Sequence, residues 1–210
     1  HFIDYFERRV KKDIKKQGKT PNHFSIGVAV SGGKDSLVAL HVINNIFSKR
    51  PNVKIYAITV DEGIFGYRDK SIKYVNTNCK ELGIENYIVS FEKIIGITLD
   101  EIAGNNNKLG ECSYCGVFRR LCLNTKAREL GIDKLVTGHN LDDEAQSIMM
   151  NFIRNTLELS ARIGPSTGIS KNKKFVPRVK PLYLCTEEEV TLYSKLMNFP
   201  VYYGRCPCCV

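Results

Sequence analysis

Apolar strands alternate with helical segments along the first half of this chain. Residues 24–30 (FSIGVAV) and 53–60 (VKIYAITV) are almost continuously apolar, which is typical of strands buried on both faces of a sheet. Helical spacing follows each of them, over residues 36–47 and 69–82. This alternation predicts an α/β fold with a doubly wound parallel sheet and helices on both faces. Functional sites in such sheets form at the carboxyl ends of the strands.

The remaining segments extend the same pattern. Further strands are predicted at 87–91, 135–137 and 201–203, and further helices at 1–17, 115–130, 142–155 and 187–196. Two stretches rich in Gly, Asn or basic residues are predicted as loops, 96–112 and 160–177. No repeat or domain boundary is visible. We expect one domain over residues 1–210, with a basic N-terminal helix at about 1–20 and a Cys-rich end at about 205–210.

The net charge and the cysteine content limit the classes of function. Lys and Arg number 31 against 22 Asp and Glu, a net charge of +9, which indicates a polyanionic partner such as nucleic acid unless it serves solubility alone. Residues 1–20 are polar and basic rather than a secretory signal, and every apolar run is too short to span a bilayer. We expect a cytoplasmic protein without membrane association. In a reducing compartment, eight Cys favour a metal, a cluster or sulfur chemistry over disulfides.

A glycine-rich turn follows the first predicted strand. Its sequence is SGGKDS, residues 31–36. Gly32 and Gly33 allow the backbone to approach a ligand, and the amides at the start of the next helix can face an anion. Ser31 and Ser36 add hydroxyl donors, and Lys34 adds a mobile charge. The spacing differs from GxxxxGK[ST], and the alternative is a tight turn with a capping Ser.

SGGKDS resembles the PP-loop of the ATP-pyrophosphatase family. These enzymes have the HUP-like fold of adenine nucleotide alpha hydrolases, cleave ATP between the α and β phosphates, and transfer AMP to an oxygen of the substrate. The resemblance implies that Ala29 and Val60 lie against the adenine and that Asp35 helps to place Mg²⁺ or the phosphates. It implies an ATP site formed by Ala29, Ser31, Gly32, Gly33, Lys34, Asp35, Ser36, Val60, Arg119 and Gly138.

Three further motifs narrow the resemblance. They are CSYCGVFRR at 112–120, GHNLDDEA at 138–145 and RVKPL at 178–182. Together they resemble the PP-loop tRNA 2-thiolation proteins, which make 2-thiouridine, and the likeness runs from about residue 24 to 206. CGVFRR is more similar to the branch that acts on the wobble uridine than to the branch that acts on the T-loop uridine. The resemblance implies tRNA as partner, free sulfide or a ubiquitin-like thiocarboxylated carrier as sulfur donor, and allows a homodimer.

The pattern of the cysteines is compatible with several kinds of site. Cys112 and Cys115 form a CxxC pair, which by itself is compatible with zinc, a redox dithiol or a cluster. The family resemblance implies a [4Fe–4S] cluster held by Cys112, Cys115 and Cys206, with one iron open for sulfide. Two alternatives remain: a catalytic dithiol that carries a persulfide, and a structural zinc with Cys208 or Cys209 as the fourth ligand.

The other Cys are isolated in sequence. Cys79, Cys122 and Cys185 are expected to be small buried hydrophobes. Members of the family usually also carry zinc-binding Cys pairs near both ends, and no CxxC pair precedes residue 79 here. We therefore expect the terminal Zn²⁺ modules of the family to be absent here, which leaves the alternative of a zinc site at the CxxC pair open.

The resemblance also assigns roles to charged residues. It assigns catalysis to Lys34, Arg119 and Asp143, while Asp142 and Glu144 are equally well explained as helix-capping acids. His139 is either an orienting group or a structural polar residue. Basic residues expected to contact tRNA phosphates are Lys171, Lys173, Lys174, Arg178 and Lys180. The alternative for these is a solvated surface.

Two other functions are compatible with these motifs. A tRNA 2-thiocytidine synthase would keep the ATP chemistry and the cluster but use another base, and its relatives usually arrange their Cys differently. A nucleotide-binding regulatory module would use the phosphate loop without chemistry. Formation of AMP and pyrophosphate in the presence of tRNA separates the enzyme from the regulatory module.

Overall fold

A computed structural model of the chain describes residues 1–17, 23–104, 110–160, 163–167 and 175–208. The helices in these residues are α1 (Phe2–Lys16), α2 (Lys34–Phe47), α3 (Arg68–Leu82), α4 (Phe91–Ile95), α5 (Leu99–Gly104), α6 (Glu111–Glu129), α7 (Leu141–Ile153), α8 (Leu157–Ser160) and α9 (Glu187–Met197). The strands are β1 (Phe24–Ala29), β2 (Val53–Asp61), β3 (Glu85–Ser90), β4 (Lys134–Val136), β5 (Ser166–Thr167) and β6 (Arg178–Val179).

The strands form one mostly parallel sheet. Their order is β3-β2-β1-β4-β6-β5, and every pair is parallel except β5 with β6, which is antiparallel. The doubly wound parallel sheet is therefore confirmed, and the short antiparallel edge strand β5 was not predicted. Because β2 and β4 lie on opposite sides of β1, the chain changes direction across the sheet there. A crevice for a ligand forms at such a switch point.

Apolar side chains cover both faces of the sheet. On one face, α1, α2, α3 and α9 pack over the sheet, with Leu37 and Leu40 of α2 fully buried. On the other face, α4, α5 and α6 pack over it, with Cys122 and Leu123 of α6 buried. Burial of one such aliphatic side chain stabilises the fold by about 1.5–3 kcal/mol. The site is therefore built on a rigid support.

The prediction of a loop over residues 96–112 is wrong at both ends of this segment. Helix α5 lies in its first part, and α6 begins at Glu111, so the CxxC pair lies in the first turns of a helix rather than before it. Thr98 and Glu101 exchange hydrogen bonds, Thr98 N–H to Glu101 Oε2 at 2.7 Å and Glu101 N–H to Thr98 Oγ1 at 3.2 Å. The spacing T-x-x-E is a capping-box signature, so the sequence did contain a signal for α5.

The strand predicted at 201–203 is also wrong. This segment has extended backbone, but it makes no ladder within the described residues. Instead, Tyr202 N–H donates to Gly32 O at 3.0 Å, and Asn78 Nδ2 donates to Pro200 O at 2.8 Å. The segment therefore crosses the glycine-rich turn at the carboxyl end of the sheet, which brings Cys206 toward the same end.

None of the helices in the described residues combines the length and the apolar character needed to cross a bilayer.

Candidate active site

A cavity of about 470 Å³ opens at the carboxyl ends of β1, β2 and β4. The structure brings most of the described candidate residues to its lining, namely Ala29, Ser31, Gly33, Asp35, Ser36, Val60, Arg119, Gly138, Asp143, Arg178 and Lys180. Of the candidate residues in the described ranges, Gly32 and Lys34 lie next to this lining rather than in it. Lys171, Lys173, Lys174 and Cys209 fall outside the described residues.

The glycine-rich turn is held in one shape by its own groups. Gly32 has φ +94°, and a Cβ there would lie 2.6 Å from Ser71 O, so only glycine fits. Ser36 Oγ accepts from Ser31 N–H at 3.1 Å and donates to Gly33 O at 2.9 Å. Helix α2 begins at Lys34 without a side-chain cap. Its first amides lie at the cavity, where an anion could bind them with the support of the helix dipole.

Lys34 is held beside the cavity by two carboxylates. Its Nζ donates to Asp35 Oδ1 and Oδ2 at 3.0 and 3.2 Å and to Glu187 Oε1 at 3.0 Å. Burial lowers the pKa of Lys34, but the hydrogen bonds to Asp35 and Glu187 outweigh it and raise the pKa overall. The side chain is a fixed positive charge, and a phosphate must compete with Glu187 to attract it.

The loop between β4 and α7 packs tightly on the start of α2. A Cβ at Gly138 would lie 2.7 Å from Asp35 O and 2.8 Å from Ser36 N, so glycine is required for this approach. Asn140 Nδ2 donates to Asp35 Oδ1 at 3.2 Å. Gly138 therefore has a structural role that is independent of any nucleotide. The loop between β4 and α7 also orients Asp35 through Asn140.

The acids that open α7 have three different roles. Asp143 forms the capping box with Asn140, each backbone N–H donating to the other side chain at 3.0 Å, and it also lines the cavity. Asp142 Oδ2 accepts from Glu187 N–H at 2.7 Å. Glu144 is buried and pairs with Lys180 Nζ at 2.6 Å. The capping role expected of Asp142 or Glu144 within α7 is thus performed by Asp143.

Basic groups line the wall formed by β4, α7 and β6. Lys180, held by Glu144, and Arg178 both face the cavity rather than an outer rim. Burial and the charge of Arg120 lower the pKa of Arg178. His139 Nδ1 lies 3.0 Å from Thr137 Oγ1, and burial together with the charge of Lys180 lowers the pKa of His139. This wall can contact an anionic ligand.

A buried carboxylate organises the opposite wall. Glu62 is 2% exposed, and its Oε2 and Oε1 lie 2.6 Å from Arg68 Nε and 2.9 Å from Arg119 Nη2. Arg119 Nη2 also donates to Cys115 Sγ at 3.2 Å. Burial raises the pKa of the Cys115 thiol, and the guanidinium of Arg119 opposes that rise. This wall joins the cavity directly to the cysteines.

The sequence motifs did not indicate Glu62 and Arg68. The residue before Glu62, Asp61, stabilises the turn after β2, because its Oδ1 accepts from Gly63 N–H at 2.9 Å. The next residue, Glu62, enters the cavity. An acid directly after a buried strand was the available signal, and the identity of its cationic partners depends on the packing of α3 and α6 against that strand.

Four cysteines gather near Arg119, outside the lining of the cavity. Cys112 is exposed, with Sγ 3.4 Å from Cys208 O, whereas Cys115 is buried. Cys206 lies near enough to both Cys115 and Cys208 to influence their thiols electrostatically. Burial and Cys206 raise the pKa of Cys208 to about 11. Both Cys206 and Cys208 pack on the apolar cluster that contains Cys115.

The donor set suits an iron–sulfur cluster. All four groups are soft thiols, and Cys112, Cys115 and Cys206 come from two segments that meet only in the folded chain. In the described part of the chain, no three His, Cys, Asp or Glu side chains converge on one metal ion. A [4Fe–4S] cluster binds its thiolates through different irons, so its ligands do not have to converge in that way.

The three isolated Cys lie apart from this group. Cys79, Cys122 and Cys185 are 3%, 0% and 1% exposed, which confirms that they are buried packing residues. Burial raises the pKa of Cys79 and of Cys122 to about 11, so their thiols stay protonated.

Comparison with known proteins decides the family. The profile of the PP-loop domain matches residues 4–201. The chain belongs to the PP-loop family. The tRNA 2-thiolation protein NcsA of Haloferax volcanii is 38% identical over 99% of this chain and 68% of that protein. The tRNA-5-methyluridine(54) 2-sulfurtransferase of Pyrococcus horikoshii is 36% identical over 99% of this chain and 64% of that protein.

A solved structure agrees with this assignment. The U34-tRNA thiolase NcsA from Methanococcus maripaludis, solved with its [4Fe–4S] cluster, superposes with a TM-score of 0.88 at 38% identity. The superposition covers 100% of this chain and 68% of that one. The family and the fold expected from the PP-loop motifs are therefore confirmed. This chain spans about two thirds of the length of these relatives, 68% and 64% for the two above.

Proposed function

We propose that this chain is the catalytic part of an enzyme that uses ATP to replace O2 of a tRNA uridine with sulfur. One observation carries the proposal: the glycine-rich turn at the start of α2 and an arginine that contacts a cysteine line the same cavity. Gly33 and Asp35 line one side, and Arg119, which contacts Cys115 Sγ at 3.2 Å, lines the other. Relatives named for tRNA 2-thiolation support the same chemistry.

In the first proposed step, O2 of uracil attacks the α-phosphorus of ATP. The bond to the β-phosphate breaks, and pyrophosphate leaves with Mg²⁺. The amides at the start of α2 and the hydroxyls of Ser31 and Ser36 would hold the departing phosphates. Asp35 would place Mg²⁺, and Arg119 would stabilise the charge that develops on the α-phosphate. Asp143, on the opposite wall, would take the N3 proton of uracil.

In the second proposed step, hydrosulfide attacks C2 of the adenylated base. The C2–O2 bond breaks, AMP leaves with the former O2, and N3 regains a proton to give 2-thiouridine. Cys112, Cys115 and Cys206 would hold the [4Fe–4S] cluster, which supplies an open iron that can bind sulfide. The sulfur comes from free sulfide or from a thiocarboxylated ubiquitin-like carrier. The protein mainly orients the reactants and stabilises charge.

The wobble uridine is the proposed target. The sequence CGVFRR and the likeness to a U34-tRNA thiolase favour it, whereas the likeness to a uridine-54 enzyme keeps the T-loop as the competing position. The exposed basic residues of α1 would contact tRNA phosphates; they are Arg8, Lys11, Lys12, Lys15 and Lys16. The cytoplasm is the proposed location.

A homodimer is part of the proposal. Helix α7 exposes large apolar side chains, namely Ile148, Met149, Phe152 and Ile153. Exposed apolar patches of this kind mark protein interfaces. A second copy of the chain is the occupant that we propose, and sedimentation analysis of the purified protein tests it.

The test of the function is an anaerobic assay with tRNA, ATP and sulfide. Lys34→Ala and Asp35→Ala should each lower thiolation at least 100-fold and leave the iron and sulfide content unchanged, because both residues lie at the anion site. Lys54→Ala, an exposed lysine on β2, is the matched control. Full turnover in both loop variants at saturating ATP would contradict the proposal. Iron, sulfide and zinc analysis of the same samples separates the cluster from a dithiol or a zinc site.

A further inference from the structure

We propose that Glu62 is a positioning residue that holds the guanidinium of Arg119 against the sulfur of Cys115, and so couples the nucleotide cavity to the cysteine group. This inference rests on the proposed function, in which Cys115 is a cluster ligand. Glu62 touches neither the thiol nor the phosphate site in this role. It acts through the arginine, whose Nη2 lies 2.9 Å from Glu62 Oε1 and 3.2 Å from Cys115 Sγ.

Contacts other than Arg119 hold both the backbone and the carboxylate of Glu62 in place. Glu62 O accepts from Leu99 N–H at 2.8 Å, and Oε2 lies 2.6 Å from Arg68 Nε. Arg68 is itself 4% exposed and donates to Val60 O, to Ser31 O at 2.9 Å and to Ser71 Oγ at 3.0 Å. Glu62 therefore cannot follow a moving arginine, and Arg119 must adapt to it. The same anchors tie this carboxylate to the phosphate loop at Ser31.

Arg119 needs such a partner to stay in place. Its side chain is about half exposed and lies in the cavity lining. A free arginine side chain loses rotamer entropy when it is immobilised. A contact with one thiol does not offset that cost, because hydrogen bonds to sulfur are weak. An ion pair with a buried carboxylate does, because removal of one partner leaves an unpaired buried charge.

The consequence concerns the metal-ligating sulfur. Hydrogen bonds to the sulfurs of an iron–sulfur cluster, and the groups that orient them, set its reduction potential and reactivity. With Arg119 held by Glu62, one guanidinium both faces the nucleotide cavity and donates to Cys115. Without Glu62, the same guanidinium would be free to turn toward solvent or toward phosphate, and the contact with sulfur would be lost.

The experiment uses protein labelled with ¹⁵N-arginine, in wild type, Glu62→Gln and Arg119→Lys. Glu144→Gln, which removes the charge of the buried carboxylate on the opposite wall, is the matched control. In the cluster-free protein, side-chain NMR reports whether the Arg119 guanidinium is immobilised, and Arg119→Lys assigns its signals. After anaerobic reconstitution and reduction, electron spin echo modulation reports ¹⁵N coupling between the guanidinium and the cluster.

We expect an immobilised Arg119 guanidinium and a ¹⁵N coupling in wild type and in Glu144→Gln. Both should be lost in Arg119→Lys and in Glu62→Gln, although Glu62→Gln keeps Arg119. An Arg119 guanidinium that stays immobilised and coupled in Glu62→Gln would overturn the inference. The absence of ¹⁵N coupling in cluster-loaded wild type would also overturn the inference. This measurement does not depend on the folding of any variant. If wild type takes up no cluster, the proposed function fails, while the NMR comparison still decides whether Glu62 holds Arg119.

Discussion

The two walls of the cavity each contain a buried carboxylate, and they use it differently. Glu62 lies between two arginines, Arg68 and Arg119, so its charge is balanced on both sides. Among the described residues, Glu144 pairs with Lys180 alone, at 2.6 Å, and Oε2 of both Glu62 and Glu144 accepts no hydrogen bond. The first wall is thus a chain of ion pairs that leads to Cys115, and the second is a single ion pair whose lysine faces the cavity. The difference indicates that the wall of Glu62 is held in one arrangement, whereas the wall of Glu144 can adapt to a ligand. We call the first the positioned wall and the other the second wall.

The largest expected effect concerns the cysteines beside the positioned wall. Cys112→Ala, Cys115→Ala and Cys206→Ala should each lose the cluster and all thiolation, because three thiolates are the minimum that the proposed site provides. Cys208→Ala should keep both, since a fourth thiolate would occupy the iron needed for sulfide. Iron content and optical spectra after anaerobic reconstitution measure this.

Cys122→Ala is the control for that series, with a packing loss on the order of 1–2 kcal/mol and a full cluster. A Cys206→Ala protein with a full cluster and normal activity would contradict the assignment. Cys208, which lies near Cys206, would then become the third ligand.

The next effect compares the two carboxylates directly. Glu62→Ala should lower the free energy of unfolding by about 3–5 kcal/mol, because it leaves two cations without their buried partner. Glu144→Ala should cost about 1–3 kcal/mol, because it leaves one cation, Lys180, without its partner. Urea unfolding of both variants under anaerobic conditions measures the difference. A larger loss for Glu144→Ala would show that the second wall is the more tightly organised one.

A smaller effect compares a glycine from each wall. Gly138→Ala should destabilise the protein by about 1–3 kcal/mol, because its Cβ would meet the Asp35 and Ser36 backbone at 2.7–2.8 Å. Gly116→Ala, in α6, should stabilise it by about 0.5–1 kcal/mol, because its Cβ would be 3.7 Å from Arg120 Nη1 and alanine favours helix. Thermal unfolding of both variants checks the opposite signs. Equal effects would mean that the loop after β4 can move away from α2.

The smallest effect is a pH dependence that is specific to the second wall. Burial and the charges of Lys180 and Arg178 lower the pKa of His139, against the opposing charges of Asp143 and Glu144. The unfolded chain therefore takes up the proton first, and stability falls as the pH drops below about 6.5. His139→Gln should show a smaller fall than wild type in unfolding experiments at pH 7.5 and 5.5.

His23→Gln is the control, since His23 is exposed. Its unfolding free energy should fall with pH as much as that of wild type. An identical fall in His139→Gln would contradict the contribution of the second wall.

Local patterns were sufficient for the regular half of the molecule. The strands at β1 and β2 and the helices α2 and α3 were predicted within a few residues, because each has an apolar period that fits one element. Prediction failed where tertiary contacts replace local ones. Residues 201–203 have strand-like composition, but their hydrogen bond goes to Gly32 rather than to a ladder. Strands β5 and β6 have two residues each, too short for any period to show.

The sequence by itself determined the family and the candidate groups: the SGGKDS turn after a buried strand, the thiols, and the resemblance that joins them. These follow from residue types and short spacings, which survive without a structure. Only the tertiary structure decided which charges meet. Lys34 and Glu187 are 153 residues apart in sequence, and Glu62 meets Arg119 through the packing of α6 on β2. Such pairs depend on how separate elements cross, and no local period records that crossing.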